Sequence, residues 1–197
     1  MKKALFTGIP NVKLIVPSQW LKSRVQAGFM GEYPVEVRYN QVDQSIFKPT
    51  PGNFREKYHL EHQKILLGVA SVWDRRKGLE DFIALGEMLQ EPYKIVLVGL
   101  TEKQIQALPE TILGLPRTGS AGALAEIYSA ADLYLNPSVE ETFGMTVLEA
   151  GCCGTHPVVY EGTACEEVAR RFGGTVVKRG PQNLLQAVKD YFGEDSQ

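Results

Sequence analysis

Cysteine is scarce in this 197-residue chain, with only Cys152, Cys153 and Cys165 present. An odd number with two neighbours adjacent is a poor disulfide framework. No C-x2-C pair or histidine at ligand spacing accompanies them, and His156 stands alone, which argues against a metal site. They read as reduced thiols in small buried positions. Long apolar runs are lacking too. No stretch of about 18 apolar residues occurs, so no segment reads as a membrane span. The start, Met1-Lys2-Lys3-Ala4-Leu5-Phe6, has two lysines but no apolar stretch of signal-peptide length. Together these absences predict a cytoplasmic chain. The net charge is −2, with lysine and arginine interleaved among acids rather than gathered in a basic stripe, which excludes nucleic acid as a primary partner. There is no internal repeat, no low-complexity tract and no Asp-x-Asp pair to hold a divalent metal.

What the chain does have is enough apolar residue, 44%, for one ordinary globular domain with a small appendage. Short β-branched runs at 13–16, 35–39, 65–72, 93–98, 133–136, 158–160 and 175–177 read as strands, with a further strand candidate at 112–115. The runs beginning at Ile65 and Lys94 are continuously apolar, as expected for strands buried on both faces. Between them lie helical periodicities at 19–29, 79–89 and 121–131, the last preceded by the candidate cap Ser120, and Leu184, Leu185, Val188 and Phe192 mark a final helix. This alternation predicts an α/β fold, a three-layer Rossmann-like parallel sheet covered by helices on both sides. A Pro/Gly stretch at 47–52 followed by charged residues reads as a connecting loop over 47–64. It separates a leading strand-helix-strand unit, 1–46, from the main block, 47–197.

The segment Asn136-Pro137-Ser138-Val139-Glu140-Glu141-Thr142-Phe143-Gly144-Met145-Thr146-Val147-Leu148-Glu149-Ala150 carries the strongest chemical signal. A strand ends at Asn136-Pro137, a polar loop follows, and a helix is predicted to begin around Phe143 or Gly144. Ligands of open parallel sheets bind at such carboxyl ends. The amides of Gly144, Met145 and Thr146 can face an anion at a helix start, and Gly144 lets the backbone approach a phosphate closely. Glu141 on the loop and Glu149 in the helix flank that helix start. Each carboxylate has acceptors enough for hydroxyls at opposite ends of a diphosphate ligand. The competing reading makes the acids solvated helix-start residues favoured by the dipole, and for Glu140 that reading is preferred.

These residues carry a resemblance. Ser138-x2-Glu141-x-Phe143-Gly144-x4-Glu149-Ala150 is similar to the signature of the group 1 family of retaining, GT-B-fold glycosyltransferases. The resemblance implies that Glu141 contacts the transferred sugar, that Glu149 holds the nucleotide ribose, and that the helix start between them receives the diphosphate. Trp73-Asp74-Arg75-Arg76-Lys77-Gly78 resembles the family's Arg-x4-Lys-Gly element, whose cations neutralise the donor diphosphate. Lys77 and Gly78 match, but the arginine position holds Val72, which leaves Arg75 or Arg76 to supply the second charge. Read alone, Arg-Arg-Lys is a solvated loop. Ile15–Leu21 and Tyr39–Phe47 are similar to the family's passage between its two domains, with Gln41 where glycine is usual. Cys153-Gly154-Thr155-His156-Pro157-Val158 resembles a strand entry with His156 inserted, and His156 itself reads as a lone surface histidine. Gly162–Glu167 matches a loop that closes over the sugar, with Glu167 as its acid, and Arg117 and Thr118 fall where the family holds the base.

The resemblance implies retaining transfer of a sugar from a nucleotide-diphosphate donor to an acceptor hydroxyl, in polysaccharide or lipopolysaccharide synthesis, with no cofactor and no metal. Glu141 and Lys77 are the expected catalytic residues. Glu149, Gly144, Met145, Thr146, Arg76, Arg75, Gly78 and Thr118 are the expected donor-binding ones. It covers the whole chain but about half of such an enzyme. A sugar or glycolipid acceptor is therefore expected to bind through a preceding domain, without which the chain is expected to bind donor but not turn it over. The intact enzyme is expected to sit at the inner face of the membrane. The exposed edge of strand 13–16 leads to an expectation of self-association. A non-catalytic nucleotide-sugar-binding module and a sugar-nucleotide epimerase remain open. A glycosidase using the two acids fails, because it gives no reason for Gly144 or Lys77.

Overall fold

The computed structural model describes residues 2–194. Met1, at the start of the leading unit, and residues 195–197, at the end of the main block, lie outside the described residues. The elements in chain order are α1 (Lys2–Phe6), β1 (Leu14–Val16), α2 (Gln19–Gln26), β2 (Val35–Val37), α3 (Phe54–Lys57), β3 (Lys64–Val69), a 3-10 turn (Arg75–Lys77), α4 (Leu79–Met88), β4 (Tyr93–Val98), α5 (Glu102–Gln106), β5 (Ile112–Leu115), α6 (Ala121–Ala130), β6 (Leu133–Asn136), α7 (Met145–Cys152), β7 (His156–Tyr160), α8 (Cys165–Arg170), β8 (Thr175–Val177) and α9 (Pro181–Phe192).

β3 to β8 form one parallel six-stranded sheet in the order β5-β4-β3-β6-β7-β8. Counted from β3, this is the doubly wound order 3-2-1-4-5-6, whose direction reverses between β3 and β6. The fold is thus α/β and Rossmann-like, as the alternation of runs predicts. Successive residues along the central strands serve opposite faces. Ile65, Leu67, Val96, Val98, Tyr134 and Val159 enter a core with residues of α6, α7 and α8. Leu66, Ile95, Leu97, Leu133, Leu135, Val158 and Tyr160 enter a second core under α4 and α9. Ile65, Leu66 and Leu67 are wholly buried. Burying each such side chain contributes about 1.5–3 kcal/mol, which is why an unbroken apolar run suits the centre of this sheet.

Three expectations need correction. The third strand ends at Val69, not at residue 72, and Val72 is 66% exposed. The chain must leave the sheet there because the reversal of strand order opens the crevice at this edge. The stretch 47–64 is not a plain connecting loop. It contains α3, buries Phe54 and Leu60, and fixes Arg55 by hydrogen bonds to the carbonyls of Ala130 (3.0 Å) and Gln63 (2.8 Å) and to Asp132 (2.8 Å). A four-residue helix is too short to show a period. His156 is not a lone surface histidine but the first residue of β7, paired with Leu133, half-buried, bonded to Thr175 Oγ1 at 2.9 Å and packed on Tyr191.

β1 and β2 make a separate two-stranded parallel sheet, so the leading strand keeps one neighbour. Ile15 on it is 56% exposed. α2 starts at Ser18, whose buried hydroxyl accepts from Leu21 N and donates to Thr142 O at 2.8 Å, tying the leading unit to the loop before α7.

Candidate functional site

The reversal between β3 and β6 puts two loops side by side. One follows β3 and carries the 3-10 turn. Asp74 caps that turn, accepting from Arg76 N (2.9 Å) and Lys77 N (3.2 Å), and Gly78 ends it at φ +75°. A side chain at Gly78 would also collide with Pro137, since its Cβ would lie 2.6 Å from that ring. Only glycine satisfies both conditions. The other loop follows β6. Its Val139 N donates to Arg76 O at 2.9 Å, its Val139 O accepts from Arg179 at 3.2 Å, and its Glu141 O accepts from Ala164 N at 3.2 Å.

The two loops deliver Lys77 and Glu141 to each other as an ion pair, with side chains 31% and 18% exposed. Four residues on, α7 begins. Gly144 precedes it at φ +96°, where a Cβ would meet Cys165 Sγ at 2.8 Å. Gly144 O accepts from Val147 N and Leu148 N, so the amides of Met145 and Thr146 come before the first intrahelical bond and keep donor capacity at the positive end of the helix.

Glu149 lies one turn further along α7. The Tyr128 phenol, buried on α6, donates to its Oε2 at 2.9 Å. Burial raises the Glu149 pKa above the ordinary 4.5, the Tyr128 bond opposing the rise. A cavity of about 560 Å³ opens here, lined by Glu149 and Thr146 from α7, Ser71 after β3, Gly99 after β4, and Arg117 and Thr118 after β5. Every one of these loops leaves the carboxyl end of a strand.

The residues singled out in the sequence are therefore distributed as follows. Glu149, Thr146 and Thr118 meet on the cavity, Lys77 and Glu141 meet on the loop side of the same helix start, and Gly78, Gly144 and Met145 shape the backbone between. Arg76 is turned onto Asp74 at 2.8 Å, with Glu140 4.0 Å away. Arg75 is exposed, with Glu80 at 3.9 Å. Neither arginine lines the cavity, whereas Arg117 does. Among the described residues Arg117 has no ion pair or side-chain hydrogen bond. Glu167 does not line this cavity and accepts from Gln19 N (3.0 Å) and Trp20 N of α2. Among the described residues no group of three His, Cys, Asp or Glu side chains converges on one point, and no helix is long and apolar enough to cross a membrane. Tyr128, Tyr134 and Asn136 are the polar residues that sequence reasoning missed. The available signal was that a tyrosine inside an apolar run needs a partner for its hydroxyl.

The family described as glycosyl transferases group 1 matches residues 52–195. An alpha-galactosylglucosyldiacylglycerol synthase of Streptococcus pneumoniae is 37% identical over 195 residues, covering 90% of this chain and 50% of that protein. A processive diacylglycerol alpha-glucosyltransferase of Acholeplasma laidlawii is 27% identical over 158 residues, covering 74% of this chain and 47% of that protein. The chain thus spans about half the length of the curated relatives it matches. Among solved structures, Anabaena HepE in complex with UDP and glucose superposes with a TM-score of 0.77 at 20% identity, over 90% of this chain and 52% of that one.

Proposed function

The chain belongs to the group 1 glycosyltransferases, and on that premise we propose that it is a donor-binding domain that holds a nucleotide-diphosphate sugar for retaining transfer to an acceptor hydroxyl. The observation that carries the reading is the arrangement about the first turn of α7. A cation–carboxylate pair, Lys77–Glu141, stands on one side of it, and a carboxylate anchored by Tyr128 stands on the other. Glu149 is assigned to the ribose hydroxyls, the α7 amides and Lys77 to the diphosphate, and Glu141 to the sugar. Departure of the nucleoside diphosphate builds negative charge on the leaving phosphate. Lys77 and the amides oppose that charge, the electrostatic term that commonly dominates such steps. The reading calls on no resident cofactor.

The nucleotide of the HepE complex makes UDP-sugars the first donors to try, and the diacylglycerol glycosyltransferases make a glycolipid at a membrane surface the first acceptor. Positioning of that acceptor oxygen and exclusion of water belong to the facing half of the cleft, and they are a large part of the rate enhancement. Calorimetric titration of the purified chain with UDP, UDP-glucose and uridine tests the reading. UDP and UDP-glucose are expected to bind, uridine much more weakly, and labelled donor with glycolipid is expected to give at most slow hydrolysis by this chain alone. Absence of binding by every nucleoside diphosphate tried would end the donor-site reading. Rapid transfer would end the division of labour.

A further inference from the structure

Behind the first turn of α7, three buried or half-buried polar side chains form a line whose direction is set by what each can donate. Asn136, 5% exposed, accepts from Ser138 N at 3.1 Å through Oδ1, which also faces the Cys165 thiol at 3.9 Å. Its NH2 therefore points the other way, to the Tyr134 phenol oxygen at 3.2 Å and Thr146 Oγ1 at 3.4 Å. An amide NH2 has no acceptor capacity, so the Tyr134 proton cannot return to it. Thr146 Oγ1, at 2.7 Å, takes that proton. Tyr134 is fully buried, and desolvation pushes its pKa up, which favours the protonated, donating phenol.

Thr146 Oγ1 thus accepts from two neighbours, and among the described residues it donates to none. A helical threonine commonly turns its proton back to the carbonyl four residues earlier. Thr146 is the second residue of α7, so the residue four positions earlier, Thr142, lies outside the helix, and its carbonyl accepts from the Ser18 hydroxyl at 2.8 Å. The cavity that Thr146 lines with Glu149 and Thr118 is open to that proton.

We propose that the Thr146 hydroxyl donates to a phosphate oxygen of the bound nucleoside diphosphate, and that Tyr134, fixed by Asn136, is the positioning residue that aims this proton. The proposal rests on the donor-site reading and deepens it. It makes anion binding at α7 a matter of an oriented side-chain donor beside the helix amides, and it explains why polar side chains are kept inside an otherwise apolar strand end.

UDP and uridine titrations of wild type, Thr146→Val, Thr146→Ser and Tyr134→Phe test it, with thermal melts to verify folding. Thr146→Val is expected to weaken UDP about tenfold, the scale of a lost hydrogen bond to a charged group. Thr146→Ser is expected to stay within about twofold of wild type, and Tyr134→Phe to weaken UDP about threefold. Uridine binding is expected to be unchanged in all three. Unchanged UDP binding in Thr146→Val overturns the proposal alone, as do equal losses for UDP and uridine, which would mean damage to the fold. Failure of the wild type to bind any nucleoside diphosphate removes the underlying reading, and the proposal with it.

Discussion

The Tyr128 phenol donates a 2.9 Å hydrogen bond to the Glu149 carboxylate across the contact of α6 with α7. Tyr128 is itself held by Phe47 and Tyr134, with ring centroids 6.4 and 5.7 Å away. Its hydroxyl is a fixed anchor, and Glu149 is presented to the cavity in one orientation. The cost is a partly desolvated acid.

That cost gives a prediction about pH. Burial raises the Glu149 pKa above 4.5. Between the unfolded and folded values the native state binds more protons than the unfolded one, so stability from this group is present at low pH and falls as pH rises through the folded value. Glu149→Gln keeps the Tyr128 bond and removes the charge. It is expected to stabilise the chain at pH 7 by about 0.5–1 kcal/mol, with the gain vanishing below about pH 4.5. The same variant is expected to weaken UDP by about 1.5–3 kcal/mol. Urea denaturation at several pH values, paired with calorimetry, checks both. A destabilised variant that binds UDP normally contradicts both assignments.

The Lys77–Glu141 pair predicts opposite effects from its two members. Lys77 holds an anion before any ligand arrives, so phosphate has to share it. Glu141→Gln removes the competing charge at contact distance and is expected to tighten UDP about three- to tenfold. Lys77→Ala is expected to weaken UDP about tenfold while leaving uridine unchanged. A UDP affinity that moves the same way in both variants would show that the pair acts through folding rather than through charge.

Replacement of the cation missing at Val72 is a separate question, and the side-chain geometry favours Arg117. Arg76 is spent on Asp74, and Arg75 is solvated beside Glu80. Exposed pairs of this kind contribute little. Arg75→Ala and Arg76→Ala are expected to change UDP affinity by less than about twofold, and Arg117→Ala to weaken it about fivefold. Parallel titrations at low and moderate salt decide, because a direct phosphate contact weakens as salt rises.

The strands and the longer helices were legible because they rest on local patterns. The apolar runs at Ile65 and Lys94 become β3 and β4, and Ser120 caps α6 with its side chain accepting from Ala123 N. The loop residues after β3 and β6 could be singled out because glycine and charge at strand ends are also local. The partners were not legible. Tyr128 meets Glu149 across 21 positions, Lys77 meets Glu141 across 64, and Trp20 meets Glu167 across 147. Such contacts exist only once the sheet brings the elements together. α3 was hidden for a different reason, having four residues and no complete period.

Glu167 supplies the last prediction, because its carboxylate is bound to the first turn of α2. The first turn of α2 has amides with no intrahelical acceptor, and the Glu167 carboxylate, presented by α8, accepts from two of them, Gln19 N at 3.0 Å and Trp20 N. A carboxylate is also favoured at this end by the helix dipole. Trp20 Nε1 donates to Gly162 O at 3.0 Å in the same contact, and Ser18 ties the cap to Thr142. The clamp therefore joins the leading unit to the loop after β6 and to the loop after β7. Glu167→Ala is expected to cost about 1–2 kcal/mol, the scale of a lost helix cap. Glu167→Gln, which retains acceptors but not charge, is expected to cost less than half of that loss. Amide exchange at Gln19 and Trp20 should quicken in Glu167→Ala while the amides of β3 and β4 keep their protection, because those strands lie in the other sheet. Trp73→Phe leaves Trp20 as the sole tryptophan, so its fluorescence follows the same release. Unaltered exchange at Gln19 and Trp20 in Glu167→Ala would remove the clamp and return Glu167 to the candidates for the sugar side of the cleft.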